Sequence, residues 1–252
     1  MKINKIILSV DKLEKKYQDI DSEIIALNDV NFIVNEKEFI SIIGPSGCGK
    51  STLLSILALI DKDYNGNVIY KKDLKVGYML QTDSLFPWKN VLDNCLLGLK
   101  IKNILNEDNK NYVIHLLKKY GLEDFMYKYP NNLSGGMRQR VALIRTLALK
   151  PDILLLDEPL SALDSQSRLA IGEDIFNIIK NEGKTAIMVT HDLDEALNVS
   201  DRIILLSKRP GSIKKIFDIP FYDLDFHSRK FNPIYSELHE KIWRDLNNDI
   251  IS

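Results

Sequence analysis

The segment Gly44 to Ser51, GPSGCGKS, constrains the fold of this chain more than any other stretch. The apolar run Phe39 to Gly44 precedes it and has the composition of a buried strand, and the run Ser51 to Ile60 predicts a helix. A glycine-rich loop between a strand and a helix can turn its backbone N–H groups towards a phosphate, and the helix N-terminus adds the positive end of its dipole. The spacing GxxxxGK[ST] in this context predicts a phosphate-binding loop.

The side chains of this loop have distinct predicted roles. Lys50 can reach the β- and γ-phosphates of a nucleotide, and the Ser51 hydroxyl can ligate Mg²⁺. We interpret Cys48 as a small filler, although a thiol reagent could still block the site because the loop must touch solvent. The candidate nucleotide contacts of this loop are Gly44, Pro45, Ser46, Gly47, Cys48, Gly49, Lys50, Ser51 and Thr52.

Other short apolar runs recur along the chain, each followed by a loop and a helix-like stretch. Such alternation predicts a parallel sheet with helices on both faces, and hence an α/β fold. The predicted strands are Val76 to Gln81, Asp152 to Pro159, Thr185 to His191 and Asp201 to Ser207.

Three regions depart from this alternation. The first forty residues predict antiparallel strands laid against the core, and residues 86 to about 150 contain no strand signal and predict several helices. Residues 233–247 place apolar side chains four residues apart, which predicts an amphipathic helix; we expect it to pack on the core, with a regulatory role as the alternative. Its apolar positions are Ile234, Leu238, Ile242 and Leu246.

We therefore expect one domain over residues 1–252, with a core and antiparallel part at about 1–85 and 150–220, a helical subdomain at about 86–149 and a C-terminal helical extension at about 221–252.

Charge and apolar patterning restrict the possible partners and compartments. The 34 Lys and Arg residues balance the 35 Asp and Glu residues, which argues against a broad nucleic-acid footprint. Two cysteines without a CxxC spacing indicate a reduced, cytosolic compartment. No apolar run approaches the length needed to cross a bilayer, and the N-terminal run is too short for a signal peptide. If this protein acts at a membrane, another chain must span it.

Two acids and a histidine follow predicted strands. Parallel strands present their carboxyl ends at one edge of the sheet, where ligands of open α/β folds bind. Asp157 is placed there to hold Mg²⁺, and Glu158 could polarise the water that attacks a γ-phosphate. His191 ends another strand and is a candidate γ-phosphate contact; a purely structural role is the alternative for all three residues.

With the phosphate loop, LSGGM, ILLLDEP, SALD and VTHD in this order, the chain resembles the ATP-binding subunits of ABC transporters over nearly its whole length. The resemblance implies a P-loop NTPase core, mostly a parallel sheet flanked by helices, with an antiparallel β subdomain and a helical subdomain.

The resemblance also implies roles for single residues. Tyr17 would stack on adenine. Gln81 would touch Mg²⁺ and the attacking water and link the site to a membrane partner. The resemblance further implies that Ser161 to Asp164 communicate between two sites and that His191 is the switch histidine. The segment Ser134, Gly135 and Gly136 would bind the γ-phosphate of the ATP held by a second copy.

The stretch Asp83 to Leu99, with Phe86-Pro87-Trp88, resembles the importer ATPases of the nitrate/sulfonate/taurine group. Trp88 would either anchor the helical subdomain or line the groove that receives the permease. Two positions depart from the family: Met137 replaces a glutamine, and Lys37 stands where a glycine usually turns a hairpin.

The resemblance implies an ATP-hydrolysing subunit that uses ATP and Mg²⁺ and forms a homodimer on an integral membrane permease, at the cytoplasmic face of the cell membrane. An extracytoplasmic solute-binding protein would deliver the solute: nitrate, sulfonate or taurine, bicarbonate, or a thiamine-precursor pyrimidine. Each ATP site would take Lys50, Gln81, Asp157, Glu158 and His191 from one chain and Ser134 to Gly136 from the other. The alternatives are an exporter ATPase for lipoprotein or drug release, a soluble non-transport ABC ATPase, and a regulator without hydrolysis. The interval between the phosphate loop and LSGG is short, which disfavours a soluble ABC ATPase of the kind that acts on chromosomes. The intact Asp157-Glu158 pair disfavours a regulator without hydrolysis.

Overall fold

The computed structural model describes residues 5–18, 23–161, 163–221 and 223–247. The strands are β1 (Ile6–Gln18), β2 (Glu23–Asn35), β3 (Phe39–Ile43), β4 (Asn65–Tyr70), β5 (Val76–Met79), β6 (Ile153–Asp157), β7 (Thr185–Val189), β8 (Arg202–Leu206) and β9 (Ile213–Asp218). The helices are α1 (Lys50–Leu57), α2 (Val91–Ile101), α3 (Glu107–Lys119), α4 (Gly135–Leu147), α5 (Ser165–Asn181), α6 (Leu193–Val199), α7 (Phe226–Lys230) and α8 (Pro233–Asn247).

The chain forms two compact units: Met1–Leu74 with Lys184–Ser252, and Lys75–Gly183. In the first unit β3 pairs in parallel with β7 on one side and with β8 on the other, and β9 pairs antiparallel with β8. Every residue of β3 and β7 is buried, as a central parallel strand requires. The predicted parallel strands are thus confirmed, with each strand ending one or two residues earlier than predicted.

The antiparallel strands predicted in the first forty residues are also confirmed. β1 and β2 pair antiparallel from Ile6↔Asn35 to Gln18↔Glu23, and β4 adds a third strand on the other side of β1. β4 and β9 were not among the predicted strands. Neither strand has the continuous apolar run that predicts a buried strand. β4 has no fully buried residue, and β9 buries only Phe217.

The turn that precedes β3 keeps its form without the usual glycine. Lys37 has a φ of 61°, the left-handed conformation that glycine adopts without steric cost. Its amide donates to the Thr185 hydroxyl at 2.8 Å, which helps to hold the turn at the start of the sheet.

In the second unit, β5 and β6 pair in parallel. The described residues between Phe86 and Lys150 form α2, α3 and α4 and two short 3-10 helices, Glu123–Phe125 and Pro130–Asn132. Gly77 in β5 lets α4 approach, because a Cβ there would lie 2.8 Å from Thr146 Cγ2. The predicted boundaries of a helical subdomain at about residues 86–149 stay a prediction.

The C-terminal helix α8 packs on the core of the first unit. Tyr235 and Ile242 are buried there, with Leu238 and Leu246 packed at the edge of the same cluster. The Tyr235 hydroxyl donates to Asp194 Oδ1 of α6 at 2.7 Å. The predicted position Ile234 is 46% exposed instead, because the helix turns Tyr235 inward in its place.

Within the four described ranges, none of the helices combines the length and apolar content needed to span a bilayer.

Candidate functional site

The phosphate-binding loop connects β3 to α1 in the first unit. Gly47 and Gly49 have φ values of 73° and 104°, which a residue with a side chain rarely adopts. Gly49 is also sterically required, because a Cβ there would lie 2.8 Å from the carbonyl oxygen of Ala26 and from Leu27 Cδ2. The loop therefore has the tight, glycine-dependent backbone that the sequence predicts.

Lys50 opens helix α1 and folds over this loop. Its side chain is buried, and its ammonium donates to the carbonyl oxygens of Gly44 at 2.8 Å and Pro45 at 3.0 Å. The guanidinium of Arg209 donates to the carbonyl oxygen of Gly47 at 3.4 Å. Two cations thus lie at the loop, an arrangement suited to an anionic ligand.

Cys48 points inward, which agrees with its interpretation as a small filler, whereas the expectation that a thiol reagent could reach it is wrong. The residue is 1% exposed, and its Sγ lies 2.9 Å from the place a Cβ on Gly44 would take. Burial raises the pKa of the thiol despite the neighbouring Lys50. Cys95 in α2 is fully buried, and burial raises its pKa to about 12.

Both cysteines are therefore expected to resist thiol reagents in the folded protein. At about pH 8 the fraction of Cys95 present as thiolate is roughly a thousandfold below that of an ordinary exposed thiol, and Cys48 is shielded as well. Titration with a chromogenic disulfide should detect no fast thiol in native buffer and both thiols after denaturation. Fast labelling of Cys48 in the native protein, with loss of nucleotide binding, would contradict this.

His191 lies at the same sheet edge as the phosphate loop. Ile42 of β3 pairs with Val189 of β7, and the Thr190 amide donates to the Ile42 carbonyl oxygen at 3.2 Å, so both strands end together. The next residue, Asp192, caps α6 by accepting a hydrogen bond from the Glu195 amide at 3.0 Å. The first unit thus brings together the loop and the predicted histidine.

In the second unit, Gln81 and Glu158 lie beside each other at the ends of β5 and β6. The Gln81 amide group donates to Glu158 Oε2 at 3.3 Å and to the Ser161 hydroxyl at 3.2 Å. Ser161 donates in turn to the carbonyl oxygen of Glu158 at 3.0 Å. Glu158 has a φ of 42°, a strained value for a non-glycine residue of the kind that concentrates at functional sites.

Asp157 has a partner that the sequence interpretation missed. The Tyr78 hydroxyl donates to Asp157 Oδ2 at 3.1 Å. A tyrosine inside the apolar strand that precedes Gln81 was the available signal, since a hydroxyl withdrawn from water needs an acceptor. Tyr78 fixes the orientation of a carboxylate predicted to face Mg²⁺.

Ser134, Gly135 and Gly136 form the beginning of α4. The Ser134 hydroxyl accepts a hydrogen bond from the Met137 amide at 3.3 Å, as an N-cap does. A Cβ on Gly136 would lie 2.3 Å from Ile171 Cδ1 and 2.6 Å from Ile171 Cγ1 of α5, so a side chain here would displace Ile171. The neighbours of Gly135 are Leu163 Cδ2 and the Arg138 side chain, and the position is only half-buried.

The segment after Gln81 is fixed to its surroundings. Asn94 is fully buried; it accepts from the Phe86 amide at 2.8 Å and donates to the carbonyl oxygens of Phe86, Lys89 and Asn90. The Trp88 ring lies 5.1 Å from the Phe86 ring and is nevertheless 69% exposed. Of the two roles that the sequence left open for Trp88, an anchor in the helical subdomain does not fit this exposure.

Tyr17 is the last predicted site residue. It lies near the end of β1 and is 42% exposed, and its hydroxyl is 3.4 Å from the Thr52 hydroxyl of α1. The ring is therefore beside the helix that the phosphate loop begins.

The family described as ABC transporter matches residues 27–161. A Bacillus subtilis protein named as the uncharacterized ABC transporter ATP-binding protein YtlC is 46% identical, over 96% of each chain. The taurine import ATP-binding protein TauB of Jannaschia sp. is 40% identical over 86% of this chain and 85% of its own length. The aliphatic sulfonates import ATP-binding protein SsuB of Bacillus cereus is 36% identical over 93% of this chain and 94% of its own length.

Among solved structures, the ATP-binding cassette MJ0796, in a dimeric post-hydrolysis state with ADP and Pi, superimposes with a TM-score of 0.70. It is 34% identical and covers 84% of this chain and 99% of its own. The phosphate loop, the strand-end carboxylates and the serine-capped glycine pair are thus found in a chain whose relatives are ATP-binding cassettes. The chain belongs to the ABC transporter family of ATP-binding proteins.

Proposed function

We propose that this chain hydrolyses ATP as the energy-supplying subunit of an importer for small sulfonates such as taurine. The relatives named for taurine and aliphatic sulfonate import support the solute class. The proposal of a membrane partner rests on the exposure of Trp88, which lies on a segment held by Asn94 and follows Gln81 by seven residues in the sequence. A fixed, exposed aromatic ring suits a protein interface.

The residues of the phosphate loop fit a bound triphosphate. The positive φ values of Gly47 and Gly49 give the loop its tight turn, and α1 supplies its N-terminal N–H groups. Lys50 would exchange its hydrogen bonds to Gly44 and Pro45 for the β- and γ-phosphates. Asp157, Ser51 and Gln81 offer the oxygen donors that Mg²⁺ prefers, and when bound the ion would neutralise phosphate charge.

Hydrolysis would use Glu158 as the general base. The carboxylate takes a proton from water while the water oxygen bonds to the γ-phosphorus and the bond to the bridging oxygen of ADP breaks. Gln81 donates to the same carboxylate and would orient the attacking water. His191 would donate a hydrogen bond to the γ-phosphate.

Two copies of the chain would form each ATP site together. The dimeric state of MJ0796 supports this assembly. Ser134, Gly135 and Gly136 would contact the γ-phosphate of the ATP bound by the second copy, using amide groups of the α4 N-terminus. A symmetric homodimer then needs no other nucleotide-binding subunit.

The membrane partner can be tested with the two tryptophans of the chain. Tagged wild-type chain is expected to co-purify from detergent-solubilised membranes with a multi-span integral membrane protein in stoichiometric amount. Trp88→Ala should lose that protein, while its ATPase activity in isolation stays unchanged. Trp243→Ala, which removes another exposed ring, from α8, is the matched control and should retain the partner. Equal retention by both variants would exclude Trp88 as the contact.

The solute class can be tested in cells. Uptake of radiolabelled taurine or an alkanesulfonate should disappear when the gene for this chain is deleted and return with the wild-type gene only. If neither uptake changes while the purified chain hydrolyses ATP, the ATPase assignment stands and the sulfonate assignment is wrong.

A further inference from the structure

A buried lysine lies against the ring of Tyr17. The Lys15 side chain is only 4% exposed, and its ammonium lies 4.8 Å from the centroid of the Tyr17 ring. Lys15 and Tyr17 are two residues apart on β1, where the pairing with β2 shifts register between Lys15 and Lys16, and the contact itself shows that the two side chains meet. The ammonium therefore covers one face of the ring. The exposed part of the ring consists of its other face and its edge.

The ammonium is itself held by the segment that follows α1. It donates to Asp61 Oδ1 at 3.0 Å, to the carbonyl oxygen of Asp63 and to Asp63 Oδ2 at 3.3 Å. Burial opposes the charge, but the hydrogen bonds to Asp61 and Asp63 outweigh it and raise the pKa of Lys15. The cation is thus permanently charged near neutral pH and fixed in place by three acceptors.

These contacts connect the ring to the phosphate-binding helix at two points. Thr52, in the first turn of α1, lies at the hydroxyl end of Tyr17. Asp61 and Asp63, beyond the end of α1, hold the ammonium that covers the ring face. A ring fixed at both its face and its hydroxyl has little freedom left to lose when a planar group stacks on it.

We propose that Lys15 is a positioning residue for nucleotide binding, whose ammonium holds the Tyr17 ring so that its open face can stack on the purine base. This inference rests on the proposed binding of ATP. Loss of the Lys15 ammonium would remove its cation–π attraction to the ring and leave the ring free to change rotamer. We expect this loss to weaken ATP affinity by roughly three- to tenfold.

The test compares a ligand that has a base with one that lacks it. Calorimetric titration of the full chain with ATP and with inorganic tripolyphosphate should show that Lys15→Met weakens ATP by about three- to tenfold and leaves tripolyphosphate unchanged. Lys16→Met removes the same charge from the neighbouring residue, whose side chain is 41% exposed and paired with Glu23, and should alter neither affinity. In a Tyr17→Leu background, Lys15→Met should have no additional effect on ATP. Lys15→Gln, which can still donate to the carbonyl oxygen of Asp63, serves the same comparison if Lys15→Met does not fold.

Three results would overturn the inference: equal weakening of ATP and tripolyphosphate, persistence of the Lys15→Met effect without the Tyr17 ring, or unchanged ATP affinity. The first result would show that Lys15 acts on the bound phosphates through its charge, or stabilises the fold, and does not act through the Tyr17 ring. Failure of the proposed function looks different, because the wild-type chain would then bind neither ligand.

Discussion

Replacing Glu158 with glutamine is expected to lower ATP hydrolysis by about 10²- to 10⁴-fold while ATP binding persists. The carboxylate is the proposed acceptor of the proton from the attacking water, and an amide cannot take that role. Glutamine has the same shape, so the strained backbone at φ 42° and the contact with Gln81 are disturbed little. Phosphate release measures turnover, and calorimetry measures ATP affinity.

The control for this variant is another glutamate of the second unit. Glu123 pairs with Lys118 at 2.7 Å on the surface, and Glu123→Gln should hydrolyse ATP at the wild-type rate. Glu158→Gln should also accumulate as an ATP-bound dimer in size-exclusion chromatography, because the ATP that the two copies share is not hydrolysed. Normal turnover by Glu158→Gln would show that another group is the base.

Gly135→Asp is expected to abolish ATP-dependent dimerisation and hydrolysis while the isolated chain keeps its ATP affinity. An acidic side chain in the first turn is favourable for α4 itself because of the helix dipole, so the fold is retained. A Cβ at this position would lie 3.0 Å from Leu163 Cδ2, the end of a flexible side chain that can shift. The carboxylate would then repel the γ-phosphate that the second copy presents.

The comparison variants separate charge from size. Gly135→Ala adds the Cβ without the charge and should retain part of the dimerisation and turnover. Gly136 is unsuitable for this test, because a Cβ there would overlap Ile171 and disturb the packing of α4 on α5. Loss of ATP binding by monomeric Gly135→Asp would indicate that the segment acts within its own chain.

The sequence predicted those parts of the fold whose signal is local. The phosphate loop and the parallel strands β3, β6, β7 and β8 could be predicted because a loop between a strand and a helix, or a continuous apolar run, needs no knowledge of its partners. The edge strand β4 could not, because its residues face solvent or are only half-buried and leave no alternating pattern.

The candidate site divides in the same way. The predicted residues Gln81 and Glu158 do meet, since they end neighbouring parallel strands. The sequence also singled out the pair Gly135-Gly136, but it gave both residues one role. The tertiary structure separates them, because a Cβ on Gly136 would lie 2.3 Å from Ile171 Cδ1, whereas a Cβ on Gly135 would lie 3.0 Å from its nearest neighbour, Leu163 Cδ2.

The sequence by itself determined which chemical groups this chain carries at its strand ends and loops, and that these are the groups of a nucleotide-binding cassette. Only the tertiary structure decided how those groups are held: Cys48 turned inward, Asp157 fixed by Tyr78, and Tyr17 covered on one face by Lys15. The physical reason is that a residue's chemistry and its neighbours along the chain are written in the sequence. Burial and contacts between distant residues arise only when the strands pair and the helices pack.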